Sequence, residues 1–168
     1  MRQLAHTVSQ NRAAGAALFV ALAALAACSG KSARHDLLND QEYAPYRFAG
    51  NSVIEGQVVA RRSADETSYG SNCQVRLMPV TTETSKYVER VVLAGKVEAL
   101  SDRPGQVSWI TTADDMGRFR FTSLPPGDYY LTCRMAWRQD GKTHDGMALG
   151  RAHLDPAQTI QVEVAPAS

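Results

Sequence analysis

From Ser52 onward the chain alternates apolar and polar positions in short runs. Val53-Ile54-Glu55-Gly56-Gln57-Val58-Val59 is rich in β-branched residues and fits a strand. Residues 61–72 hold Ser, Asp, Glu, Gly and Asn, which reads as a loop. Cys73-Gln74-Val75-Arg76-Leu77 alternates, so Cys73, Val75 and Leu77 share one face, and Pro79 ends that strand or marks an edge. Gln106–Thr112 is a further strand. Arg118–Thr122 alternates strictly, with Phe119 and Phe121 facing inward. Asp128–Trp137 is long and places Tyr129, Leu131, Cys133 and Met135 together. Asp140-Gly141 is a hairpin turn, and Met147–Leu154 and Thr159–Val164 close the pattern. In the last run Ile160, Val162 and Val164 oppose Gln161 and Glu163.

One stretch resists assignment. Between Thr81 and Leu100, Val88, Val91 and Val92 have helical spacing, but a Val-rich run also suits a strand. Either a strand or a short helix fits. Short strands, frequent turns and no long helical period predict an all-β sandwich. Cys73 and Cys133 both fall on inward faces. Both a bridge and two buried free thiols satisfy that pattern.

The first residues follow another rule. Arg2 and Arg12 precede an apolar run, Ala13–Ala24, too short for a permanent span, which needs about 20 apolar residues. It ends in Leu25-Ala26-Ala27-Cys28, which resembles the lipobox of bacterial lipoproteins. That resemblance implies a signal peptide over 1–27 and diacylglycerol, with a further acyl group such as palmitate, on Cys28. Ser29 follows the Cys where an Asp commonly marks inner-membrane retention. Outer-membrane anchorage facing the periplasm is therefore implied. Residues 28–51 are polar and mixed and read as a lipidated tether. Tyr43, Tyr46 and Phe48 make it more aromatic than a passive linker, so packing on the domain or docking elsewhere is expected there.

Two of the 18 basic residues and none of the 17 acids precede Cys28, so the remainder is nearly neutral. No basic surplus argues for nucleic acid, and no acidic block argues for disorder. With Cys28 taken by lipid, Cys73 and Cys133 form an even pair in an oxidising compartment, which suggests a disulfide.

The run Asp115-Met116-Gly117-Arg118-Phe119-Arg120-Phe121-Thr122-Ser123-Leu124-Pro125-Pro126-Gly127-Asp128-Tyr129-Tyr130-Leu131 resembles the carboxypeptidase regulatory-like family, with Asp-x-x-Gly-x-Phe-x-Phe followed by Leu-Pro-x-Gly-x-Tyr-x-Leu. The resemblance covers about residues 52–165 and implies an all-β, transthyretin-like Greek-key sandwich of about seven strands. It also implies an accessory module without catalysis, and it carries over no site residues. The stretch from Thr81 to Thr112 departs from the pattern.

Candidate chemistry is sparse. His35-Asp36, His144-Asp145 and His153 with Asp155 are neighbours, but no Gly-x-Ser-x-Gly elbow accompanies them. His144 and His153 lack partners at metal-ligand spacing, so no metal or other cofactor is expected. Asp114-Asp115-x-Gly117 lacks the alternating acids of a calcium loop and reads as a turn. Trp109 and Trp137 are candidates for stacking on a glycan or small molecule, although packing is the commoner fate of a Trp. The expectation is a non-catalytic envelope module, bound to the membrane through lipid and to an envelope protein partner. Ligand binding is the alternative, and a hydrolase the weaker one.

Overall fold

The computed structural model describes residues 40–61, 66–94 and 106–166. The signal segment, Cys28, His35 and Asp36 lie outside the described residues. Eight strands form one curled, mixed sheet: β1 (Ser52–Arg61), β2 (Thr67–Tyr69), β3 (Gln74–Pro79), β4 (Trp109–Thr112), β5 (Arg118–Leu124), β6 (Gly127–Gln139), β7 (Lys142–Leu154) and β8 (Thr159–Pro166). The all-β, sandwich-like fold is the one the alternation predicts.

Strand β1 lies between β8, paired in parallel from Val53↔Thr159 to Val58↔Val164, and β5, paired antiparallel at Glu55↔Arg120 and Gln57↔Arg118. A second layer runs β4-β3-β6-β7. The layers join where β8 meets β7 at Ala148↔Pro166 and Leu149↔Ala165. Between them sit Ile54, Val58, Leu77, Phe121, Tyr129 and Leu131, all buried. Gly56 is required by close approach: a Cβ there would stand 2.4 Å from the Phe119 ring. The β6–β7 hairpin turns on Asp140 (φ 52°) and Gly141 (φ 71°) between paired Gln139 and Lys142, a two-residue turn of the primed kind.

The structure departs from the expected pattern in one place and decides two readings that the pattern left open. The loop expected over 61–72 contains β2, which pairs with the end of β1 at Val59↔Tyr69. Three residues without an apolar face leave no periodic signal. The ambiguous stretch is helical where described. Helix α1 (Thr82–Tyr87) is capped by Thr81, whose hydroxyl accepts from the Thr84 N–H while the Thr84 hydroxyl accepts from the Thr81 N–H. It continues as a π-helical turn, Val88–Leu93, that buries Val88, Val91 and Val92. Residues 95–105 of that stretch lie outside the described residues. Of the two readings of the aromatic cluster before β1, packing on the domain holds for Tyr43 and Tyr46. Tyr43 is 1% exposed and its hydroxyl accepts from Thr81 Oγ1, while the Glu42 carboxylate accepts from the Thr82 N–H at 2.6 Å. Tyr46 lies edge-on to Tyr129 at 5.3 Å. Phe48 remains 76% exposed.

Cys73 and Cys133 are bonded, with Cα atoms 6.3 Å apart and a sequence separation of 60. Of the two alternatives left by the inward parity, the bridge holds. Closing a loop of that length restricts the unfolded chain and is worth about 4 kcal/mol in the chain-entropy model. Replacing both cysteines with Ala is therefore expected to lower unfolding free energy by about 4 kcal/mol. Urea unfolding of the variant beside the oxidised and reduced wild type measures it, and equal stability of all three contradicts it.

Candidate functional site

Because Ile54, Val58, Phe119 and Phe121 point into the core, alternation turns Glu55, Gln57, Arg118 and Arg120 outward. Strand β8 adds Gln161 and Glu163 at the registers of Glu55 and Gln57. The outer face of β5-β1-β8 thus carries two rows of three planar polar side chains. Arg120 Nε lies 3.4 Å from Glu55 Oε1, and Gln161 Nε2 donates to Glu55 Oε2 at 2.7 Å. In the next row Gln57 Nε2 donates to the Met116 carbonyl at 2.9 Å and its Oε1 accepts from Arg61, which also pairs with Glu163. Fixed to one another, these groups keep their orientation without a ligand.

A groove of about 720 Å³ runs past this face, lined by Glu55, Gln57, Gln161, Arg118 and Arg120 together with Thr111, Thr112 and Asp114. Two carboxylates and two guanidiniums balance its charge. The Asp114 carboxylate is occupied by its own turn: Oδ1 accepts from the N–H groups of Arg118 (2.8 Å) and Met116 (2.9 Å), and Oδ2 from Arg118 Nε (3.0 Å). The Arg118 N–H foremost, then the Met116 N–H and the Arg118 side chain, hold its pKa below the ordinary carboxylate range. These donors make the Asp114–Gly117 segment a turn locked by a side chain, as its composition predicts.

The two tryptophans singled out in the sequence do not line this groove. Both are half-buried against the core. Trp109 meets Tyr129 edge-on at 5.9 Å. Trp137 stacks on His144, its cross-strand partner, at 5.8 Å and 18°. Each ring is engaged separately in packing, which is the commoner of the two fates considered for them. Asp145, next to His144, is bound by Arg134 at 2.9 Å. His153 is exposed, with Nδ1 3.1 Å from Asp128 and Nε2 3.7 Å from Asp155.

Apart from Asp114, weighed for calcium and read as a turn residue, the groove residues named here were not among the sequence candidates. Their outward parity was legible strand by strand: Arg118 and Arg120 flank Phe119, and Gln161 and Glu163 oppose Val162. Their adjacency depends on β1 lying between β5 and β8, which no local pattern reveals.

No family model matches the chain, and no curated protein matches it. Among solved structures it is similar to a proposed carbohydrate-binding protein from Pseudomonas aeruginosa, at 26% identity and a TM-score of 0.60, over 75% of this chain and 95% of that one. It is more distantly similar to the major pilin subunit of Bacillus cereus, at 15% identity and a TM-score of 0.40, over 71% of this chain and 30% of that one.

A depressed folded-state pKa stabilises the fold above the unfolded value, about 4 for Asp, and that contribution disappears as pH falls through the folded value. Wild type is therefore expected to exceed Asp114→Ala in stability at pH 7, with the gap closing as pH drops below about 4. Parallel urea titrations of both proteins measure it. A gap unchanged down to the acid limit contradicts the assignment.

Proposed function

We propose that this chain is a non-catalytic binding module of the bacterial cell envelope that takes carbohydrate in the groove on β5-β1-β8. It is held at the outer membrane, facing the periplasm, by lipid on Cys28. The observation that carries this reading is the groove itself. Its amides, carboxylates and guanidiniums are planar, charge-balanced and fixed by one another on a rigid three-strand face. Such groups can hydrogen-bond paired hydroxyls of a sugar while paying little ordering entropy. The similarity to a proposed carbohydrate-binding protein, spanning nearly all of that chain, supports the same ligand class. The resemblance of residues 115–131 to an accessory-module family supports binding rather than catalysis.

The anchor follows from Leu25-Ala26-Ala27-Cys28. Acyl chains contribute about 0.8 kcal/mol per buried methylene, so two or three hold firmly. The disulfide fits an oxidising compartment such as the periplasm. A hydrolase needs a nucleophile, a base and an orienter in contact. The described histidines instead stack on Trp137 or stand exposed between Asp128 and Asp155.

Titration of the full-length protein in detergent with neutral oligosaccharides tests the ligand. Wild type is expected to bind, and Glu55→Ala or Gln161→Ala to weaken binding about tenfold, the worth of one hydrogen bond to a charged group. Their stability should stay within about 0.5 kcal/mol of wild type, as for other exposed positions. Binding by no oligosaccharide overturns the carbohydrate reading.

Crosslinking in cells tests the envelope setting. Wild type is expected in the membrane fraction with an envelope protein crosslinked to it, and Cys28→Ala in the soluble periplasm without that partner. Membrane retention of Cys28→Ala sinks the lipid anchor.

A further inference from the structure

A second, smaller pocket of about 220 Å³ opens on the outer face of the other layer. It stands apart from the carbohydrate reading. Arg76 on β3 forms its floor, flanked across the sheet by Ile110 of β4 and Thr132 of β6. Val75 and Leu77 are fully buried in the core, so Arg76 points to the opposite face, where it is half-buried. Among the described residues this guanidinium has neither an ion pair nor a hydrogen-bond partner. Thr132, 2% exposed as a residue, lines the same pocket beside it.

The neighbouring cation is already neutralised. Arg134 at the rim holds Asp145 through Nε (3.2 and 3.3 Å) and its terminal nitrogen (2.9 Å). Among the described residues the pocket therefore offers one uncompensated positive charge, a threonine hydroxyl beside it, and apolar walls from Ile110 and Met147. A half-buried charge is costly when unpaired, and its complement is an anion.

We propose that this pocket binds the carboxylate of a small organic acid. The Arg76 fork takes the two carboxylate oxygens side by side, the arrangement guanidinium favours. The Thr132 hydroxyl donates to one of them, and an aliphatic body lies against Ile110 and Met147. A carboxylate carries one charge and so matches Arg76 alone. Phosphate carries more charge and demands more donors than the pocket provides.

The test titrates the full-length protein in detergent with propionate, its neutral isostere propionamide, glucuronate and inorganic phosphate, read by the Arg76 side-chain Nε–H NMR signal. Propionate is expected to bind saturably and propionamide not at all. Thr132→Val, which keeps shape and removes the hydroxyl, should weaken propionate about tenfold. Arg76→Lys, read by calorimetry, should weaken it further by losing the fork while keeping the charge. Ile110→Glu places a carboxylate directly across from Arg76 and should abolish propionate binding, a readout that survives if Arg76 variants fail to fold. Tighter binding of glucuronate than propionate supports the site with an acidic sugar as its source. Weaker glucuronate binding supports it with a free acid as source. Equal affinity for propionamide, phosphate preferred over propionate, or full affinity in Thr132→Val and Ile110→Glu overturns the proposal.

Discussion

Residues 53–58 of β1 hydrogen-bond along both edges at once, in parallel to β8 and antiparallel to β5. Parallel neighbours cannot be joined by a hairpin, and here the crossover from β1 to β8 contains every other strand. Register on β1 is then held from both sides and from within. A slip of one residue would turn Ile54 and Val58 out to water and drive Glu55 and Gln57 into the core. The same alternation that buries the core therefore assembles the polar face outside it. Glu55 reaches Arg120 on one side and Gln161 on the other only because that register is enforced.

The second layer is secured differently. The disulfide ties the start of β3 to the middle of β6. Tyr129, fully buried, donates its hydroxyl to the Pro125 carbonyl at 2.6 Å and receives the edges of both Tyr46 and Trp109. Burial drives its phenol pKa far above the ordinary value, so the hydroxyl stays a donor across the physiological range. Through Tyr46, and through the Glu42 carboxylate at the first turn of α1, the segment from residue 42 becomes part of the domain.

The two outer faces differ in electrostatics more than in shape. The β5-β1-β8 groove is neutral and internally satisfied, which suits an uncharged ligand held by many modest hydrogen bonds. The Arg76 pocket is small and, among the described residues, carries one unpaired charge, which suits one anionic group.

Much of this was readable without coordinates because it depends on period and turn chemistry. Phe119 and Phe121, Tyr129 through Met135, and Ile160 through Val164 declared their inward faces, and Asp140-Gly141 declared its hairpin. The inward parity of Cys73 and Cys133 was also local, but it left bridge and free thiols equally satisfied until β3 and β6 were neighbours. β2 escaped because a strand of three residues without an apolar face has no period. The 81–93 segment stayed ambiguous because Val serves both helix and strand, and its threonine cap and burial on the outer face decided it. Trp109 and Trp137 drew attention by residue type, yet a tryptophan's role depends on what lies beside its ring. By itself the sequence determined which residues face inward on each strand, where most turns fall and that the class is all-β, since these follow from nearest-neighbour sterics and alternation. Only the tertiary structure decided which strands lie side by side, and so that Arg120, Glu55 and Gln161 form one row while Arg76 has no partner among the described residues, because such adjacency is set by contacts between residues far apart in the chain.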